Sequence, residues 1–466
     1  MEIDPALLRG LTEHRYSRRD VMRGAGLGAG LVGMDVLLAA CGVKAKNAQP
    51  SGTSSAAATS SSASGAGSSA AGSSAGESAS ASASASTSVS ASESASATAP
   101  AMSAFWQEQK LAHQLNFANW PLYIDQQTVN GKTVRPSIEA FTKETGIKVT
   151  YKEVIQDTGD FFGIQQPVFA AHKDIGYDLM VMTNGIYMTK LISLGYLTEL
   201  EPSLMPNFHA NADKSVQNPS YDPGNKYTMA WQSGLTGIAY DPKKTKREIT
   251  SFADLFDPAF KGKVGMFADN LDLPNFSLAG LGINPETSTP DDWRKAAAKL
   301  MQQRSAGLVR KYYTQDYVDP LLKGDIWISM AFSGDIFQAN AGSDQLKFVV
   351  PQEGGVIWTD NMCIPAKAKH PLDAITYMDY VYQPEVAAVM AESINYITPV
   401  DGARDGIKAH AAKAAKPADK TALEALADSP LIFPSADDLA RVHHYRSLTP
   451  AEEKEWNKIF QPIYQS

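Results

Sequence analysis

Cysteine is scarce in this chain: Cys41 and Cys363 are the only two. Cys41 falls in an export motif, which leaves Cys363 alone, so no internal disulfide is expected and stability must come from an apolar core. Basic charge is also short, with 42 Lys and Arg against 50 Asp and Glu and a net charge of −8. That balance argues against nucleic acid and for a neutral or cationic partner. The eight histidines offer no helical pair at metal-binding spacing. His443 and His444 are neighbours, and on a helix neighbours point apart. Residues 112–466 contain no phosphate-binding loop and no nucleophile elbow, which makes an exported enzyme the weaker reading. The stretch Gly24–Ala40 is shorter than the about 20 apolar residues a membrane-spanning helix needs, and Asp35 interrupts it.

What stands at the N-terminus describes an address. Ser17-Arg18-Arg19-Asp20-Val21-Met22-Arg23 resembles a twin-arginine export signal, and the Gly/Ala/Leu stretch behind it is the apolar region of a signal peptide over residues 1–40. Leu38-Ala39-Ala40-Cys41 resembles the bacterial lipobox, in which the cysteine receives a diacylglyceryl group and becomes the new N-terminus. Two acyl chains anchor stably where one is marginal. Between Ser51 and Ala101 the only charges are Glu77 and Glu93, and Val89 is the only larger apolar residue. Such a segment cannot bury enough apolar surface to offset its ordering entropy, so residues 41–111 are expected to form a disordered tether. The protein is therefore expected outside the cytoplasmic membrane, held to its outer face through Cys41.

Residues 112–466 are more than one core normally serves, and two lobes are the default. Leu115-Asn116-Phe117-Ala118 reads as a strand, followed by a helix with Val134, Ile138 and Phe141 on one face and Gly146 as its cap. Strands are expected at 147–151, 177–181, 263–267 and 308–313, and a helix through Met188, Leu191 and Ile192. Thr289-Pro290-Asp291-Asp292 combines an N-cap, proline at the first helical position and acids in the first turn. Ser447–Glu453 reads as the start of a capped surface helix. Strands alternating with helices indicate α/β architecture with largely parallel sheets, in which ligands sit beyond the carboxyl ends of strands.

Seven blocks in order carry a family resemblance. They are Asn119-Trp120-Pro121-Leu122-Tyr123-Ile124-Asp125, Phe141–Val149, Tyr177-Asp178-Leu179, Ser251–Leu255 with Phe260-Lys261-Gly262, Phe332-Ser333-Gly334-Asp335, Gly354–Asp360 and Asn395-Tyr396-Ile397-Thr398-Pro399. Together they resemble bacterial spermidine/putrescine-binding proteins, the receptors of polyamine ABC importers. The resemblance implies a two-lobed periplasmic-binding-protein fold of the type II kind. Its first lobe is expected over 112–232 and 361–400, its second over 233–360 and 401–466. It also implies a monomer that takes polyamine into the interlobe cleft and passes it to an ABC permease and its ATPase, with no cofactor or metal. Matching positions imply that Asp269 and Asp272 meet one terminal amine and that Asp335 and Asp360 meet amines further along. Trp120, Tyr123, Phe332, Trp358 and Tyr396 match an aromatic box, and Thr183 a hydroxyl contact.

A polycation leaving water needs carboxylates for its ammonium groups and apolar walls for its methylenes, which is what this set offers. Two positions depart from the family pattern: Phe332 stands where relatives often carry Trp, which weakens a cation–π face, and the shorter Asp272 stands where Glu is common, which bears on the preferred ligand length. Read without the resemblance, Asp269 and Asp272 could be acids at a helix start, and Asp335 a turn cap. The alternative ligands are another organic amine, a short peptide, or ferric ion held by the adjacent pair Tyr312-Tyr313.

Overall fold

The protein is represented by a computed structural model that describes residues 102–314, 316–341 and 344–465. The signal peptide, Cys41 and the tether up to residue 101 lie outside the described residues. The last part of the expected tether does not behave as one. Ala104–Glu108 is a helical turn whose Trp106 is 3% exposed, and the Trp106 indole N–H donates to the Glu199 carbonyl at 2.9 Å. The Ser103 N–H donates to the Glu201 carboxylate at 3.0 Å. Phe105 and Trp106 supply the apolar surface that the Ser/Ala stretch lacks, so packing begins about ten residues earlier than composition indicated.

The main sheet has ten strands: β1 (Gln114–Asn119), β4 (Lys148–Glu153), β5 (Leu179–Thr183), β6 (Met229–Tyr240), β7 (Val264–Phe267), β8 (Val309–Tyr313), β9 (Ile328–Phe332), β10 (Lys347–Val349), β11 (Gly355–Cys363) and β12 (Val442–His443). A separate hairpin pairs β2 (Gln127–Val129) with β3 (Lys132–Val134). The order is β4-β1-β5-β11-β6-β9-β7-β8, with β10 on β6 and β12 on β11. Two parallel groups, β4-β1-β5 and β9-β7-β8, form the cores of two lobes. Between them β6 and β11 run antiparallel to each other and to β5 and β9, and they are the crossing segments. Every residue of β6 and β11 is buried, because both lobes cover them.

Local chemistry accounts for the flanking helices. Pro136–Thr145 opens on proline, buries Ile138 and Phe141, and ends on Gly146 at φ +75°, a conformation that glycine adopts without a Cβ clash. Val134, expected on that helix, belongs to β3 instead. Pro290–Ser305 starts with a reciprocal cap between Thr289 and Asp292. Pro450–Tyr464 starts the same way with Thr449 and Glu452, but it is no free surface helix. Trp456, Phe460 and Ile463 are buried, and Trp456 meets Trp293 edge-on at 5.1 Å.

The expected lobe boundaries at 232/233 and 360/361 fall inside β6 and β11. The segment 401–466 divides. Ile407, Ala411, Leu423 and Leu426 pack with Ala388 and Ala391 of the helix Pro384–Ile394, whereas Val442–His443 joins β11 and the last helix lies on Pro290–Ser305. His443 is thus in a strand rather than on a helix, because the buried backbone of Gly355–Val356 leaves an edge for Val442–His443 to pair with.

Candidate ligand site at the strand crossing

Sheet register builds the site. Residues directly opposite in an antiparallel pair share a face, as do alternate residues along a strand. Thr183 of β5 is opposite Asp360 of β11, which is opposite Gln232 of β6. Trp358 is opposite Gly234, and Val356 is opposite Thr236, which is opposite Phe332 of β9. Four strands from both lobes therefore place Thr183, Asp360, Gln232, Trp358, Thr236 and Phe332 on one face. The ladder shifts between Asp360 and Asn361, and such a bulge re-aims a side chain where pairing breaks. Gly234 is required here: a Cβ on it would lie 2.2 Å from Cζ2 of Trp358, whose ring covers that strand.

Aromatic rings line this face. Tyr123 meets Tyr396 at 6.1 Å between ring centroids, Tyr396 meets Trp358 at 5.2 Å, and Trp358 meets Phe332 at 5.6 Å, all near edge-to-face. Phe267 continues the row behind Phe332 at 4.7 Å. Trp120 stands to one side: its indole N–H donates to the Val181 carbonyl at 3.1 Å, two residues before Thr183.

The carboxylates are held by hydroxyl and backbone donors. Thr183 Oγ1 donates to Asp360 Oδ1 at 2.6 Å and lies 3.1 Å from Thr158 Oγ1. Asp335 receives the Tyr317 hydroxyl on one oxygen and the Tyr396 hydroxyl on the other, both at 2.8 Å, while Tyr317 Oη accepts the Phe332 N–H at 2.9 Å. Asp272 Oδ1 receives Thr236 Oγ1 at 2.5 Å and Tyr445 Oη at 2.7 Å. Asp269 Oδ1 accepts the N–H groups of Leu271, Asp272 and Leu273, so it closes the open end of the helix Asp272–Ala279. The helix-start reading of Asp269 thus describes one of its oxygens. The other has no hydrogen bond among the described residues.

Electrostatics sets this group apart. Burial pushes the Asp269 carboxyl up to about 6 against the pull of its three backbone donors, and the Asp157 charge adds to the rise. Burial, then the neighbouring charges of Asp269 and Asp360, raise Asp272 well above the carboxylate range. Among the described residues no Lys, Arg or His makes an ion pair with Asp269, Asp272 or Asp335. Buried carboxylates without a counter-cation favour a cation brought from outside.

Sequence reasoning did not find Thr236, Gln232, Thr158, Tyr317 or Tyr445. A faint signal existed for two of them, since Gln232 and Thr236 are polar residues an even number of positions apart in a largely apolar run. Nothing local marks Tyr317 or Tyr445, because their partners are distant in the chain. The iron alternative gains no support. Tyr312 and Tyr313 are consecutive in β8 and face opposite ways, Lys311 Nζ lies 5.0 Å from the Tyr313 ring centre, and no group of three His, Cys, Asp or Glu among the described residues could hold a metal.

Two α/β lobes joined by crossing strands, with polar and aromatic side chains gathered where they cross, define the class of two-lobed solute receptors. The sequence pattern of the bacterial extracellular solute-binding proteins matches residues 174–426, and the chain belongs to that family. It is 31% identical over 295 residues to the spermidine/putrescine-binding periplasmic protein of Salmonella typhimurium, covering 62% of this chain and 78% of that one. It is 27% identical to the putrescine-binding periplasmic protein SpuD of Pseudomonas aeruginosa, covering 74% and 91%. The crystal structure of the spermidine/putrescine transporter substrate-binding protein PotD of Streptococcus pneumoniae superposes with a TM-score of 0.62 at 21% identity, over 76% of this chain and 98% of that one. That likeness establishes the shared fold.

Proposed function

We propose that this chain is an extracytoplasmic receptor that captures polyamines at the strand crossing and delivers them to an ABC importer. The observation that carries the reading is the set of carboxylates Asp269, Asp272 and Asp335, which have hydroxyl and N–H donors but no ion-paired cation among the described residues, beside the row Tyr123-Tyr396-Trp358-Phe332. The names of the relatives, spermidine/putrescine-binding and putrescine-binding, support the same ligand class.

In this reading the ligand's ammonium groups exchange water for carboxylate oxygens, and its methylenes lie along the rings. Charge-assisted hydrogen bonds of about 1.5–3 kcal/mol each and cation–π contacts of about 1 kcal/mol are enough for micromolar binding, near −8 kcal/mol, after association costs. Because the two lobes share the site through β5, β11, β6 and β9, a ligand that touches both favours one arrangement of the lobes over another, and the permease reads that arrangement.

The N-terminal motifs complete the proposal. Export through the Ser17–Arg23 signal, cleavage before Cys41 and lipid on its thiol place the receptor on the outer face of the membrane.

The test is calorimetric titration of the full chain with putrescine, spermidine and spermine, with ferric citrate and glycine betaine as contrasts. Binding heat with at least one polyamine and none with ferric citrate is expected. Absence of heat and of thermal shift with all three polyamines refutes the reading.

A further inference from the structure

On the site face, the carboxamide oxygen of Gln232 and the indole N–H of Trp358 are buried without a hydrogen-bond partner among the described residues. Gln232 is 1% exposed, and leaving a buried acceptor without a donor is costly. The Trp358 group is a donor and cannot serve an ammonium. The Gln232 oxygen is the complementary one. It belongs to the residue directly opposite Asp360, so a group held at the Asp360 carboxylate comes within reach of the neighbouring strand's amide.

We propose that Gln232 is a specificity-determining residue of this receptor. Its side-chain oxygen accepts an N–H of the same ammonium that Asp360 holds, so the site demands a nitrogen bearing at least two N–H bonds. The inference rests on the polyamine reading and sharpens it. Aromatic faces attract a cation by its charge alone and hold quaternary ammonium ions well, so Tyr396, Trp358 and Phe332 by themselves do not distinguish an amine from its permethylated form. A charged acceptor and a neutral acceptor on facing strands do. Methylation removes the donors and leaves the buried Gln232 oxygen unmet, and sites built to hydrogen-bond a group reject analogues lacking it.

A blander role for Gln232 exists nearby. A cavity of about 10 Å³ is lined by Gln232, Ala230, Tyr382 and Thr398, and Thr398 Oγ1 is also buried without a partner among the described residues. One water there could bridge the two side chains, in which case Gln232 serves stability and not selection.

The experiment measures dissociation constants of the full chain for putrescine and for its hexamethylated, bis-quaternary counterpart, which has the same charge and spacing. Wild type, Gln232→Met and Gln232→Asn are compared, with melting temperatures recorded for each. Methionine keeps the volume and removes the acceptor. We expect Gln232→Met to lose about 10-fold of the preference for putrescine over the quaternary ion, as one charge-assisted hydrogen bond is worth. Affinity for the quaternary ion itself should not change, and Gln232→Asn should recover part of the preference. A preference equal to wild type in Gln232→Met overturns the inference, and if Thr398→Val then lowers the melting temperature as Gln232→Met does, the residue is a hydration partner. Should wild type bind neither compound nor spermidine, it is the polyamine reading that falls.

Discussion

Tyr445 Oη donates to Asp272 Oδ1 at 2.7 Å, joining residues 173 positions apart. The Tyr445 ring also lies against Gly185, where an added Cβ would approach it to 3.3 Å. The C-terminal tail therefore closes one end of the site, and it presents Asp272 with a neutral donor in place of a cation. Burial raises the Tyr445 hydroxyl well above its ordinary range, so it stays a donor at every physiological pH.

Tyr445→Phe removes that donor without changing the packed volume. Asp272 then keeps only the Thr236 hydroxyl, its charged form is less favoured, and polyamine affinity at pH 7 is expected to fall about 10-fold, the worth of one hydrogen bond to a charged group. Calorimetry checks this, and an unchanged dissociation constant would show that Asp272 needs no help from the tail.

Affinity should depend on pH with a defined sign. The Asp269 carboxyl ordinarily titrates near 4 and is raised to about 6 here, so between those values the folded protein holds a proton that the unfolded chain has released. Ligand-free stability therefore falls as pH rises from about 4 to about 6 and carries the full penalty above. A bound cation favours the charged carboxylate, so binding expels protons and weakens as pH drops through about 6. Titrations in buffers of different ionisation enthalpy at pH 5.5–7.5 measure the release. Asp269→Asn, which still caps the helix, is expected to flatten the pH dependence and raise the ligand-free melting temperature at pH 7.

Gly234→Ala tests whether the Trp358 ring must lie where it does. The new Cβ at 2.2 Å from Cζ2 forces the indole aside, and overpacking of this kind costs about 1–3 kcal/mol. Loss of polyamine binding beyond what the melting temperature predicts is expected, since Tyr396 and Phe332 both rest on that ring. A variant that binds normally would remove Trp358 from the site.

Cys41→Ser is expected to release the protein from the membrane fraction of cells into the soluble envelope fraction, and to abolish labelling by radioactive palmitate. Binding by the purified protein should be unaffected. Label retained in the variant would place the anchor elsewhere.

Much of the fold was legible because it is locally encoded. The apolar face of Ile138 and Phe141 with Gly146 behind it marks the helix at 136–145, Thr289-Pro290 and the acids of the first turn mark the one at 290–305, and apolar or alternating runs mark β1, β4, β5, β7 and β8. Failures occurred where long-range packing outweighed local pattern. Phe105-Trp106 sat beside a Ser/Ala tether and reads as its end, yet Trp106 is buried against a chain segment 93 residues away. His443 looks helical in isolation, and the open edge beside Gly355 makes a strand of Val442–His443.

The candidate site divides along the same line. By itself the sequence determined the chemistry on offer: acids, aromatics and hydroxyls at positions such as Asp360, Trp358 and Tyr396, and the absence of cysteine pairs or metal-spaced histidines. Only the tertiary structure decided which of these meet. Register across β5, β11, β6 and β9 brought Thr183, Asp360 and Gln232 into one row, and chain closure placed Tyr317 and Tyr445 against Asp335 and Asp272. The physical reason is that a side chain's type fixes which hydrogen bonds it can make. Which partner arrives is set by strand pairing and burial between segments that no local pattern relates.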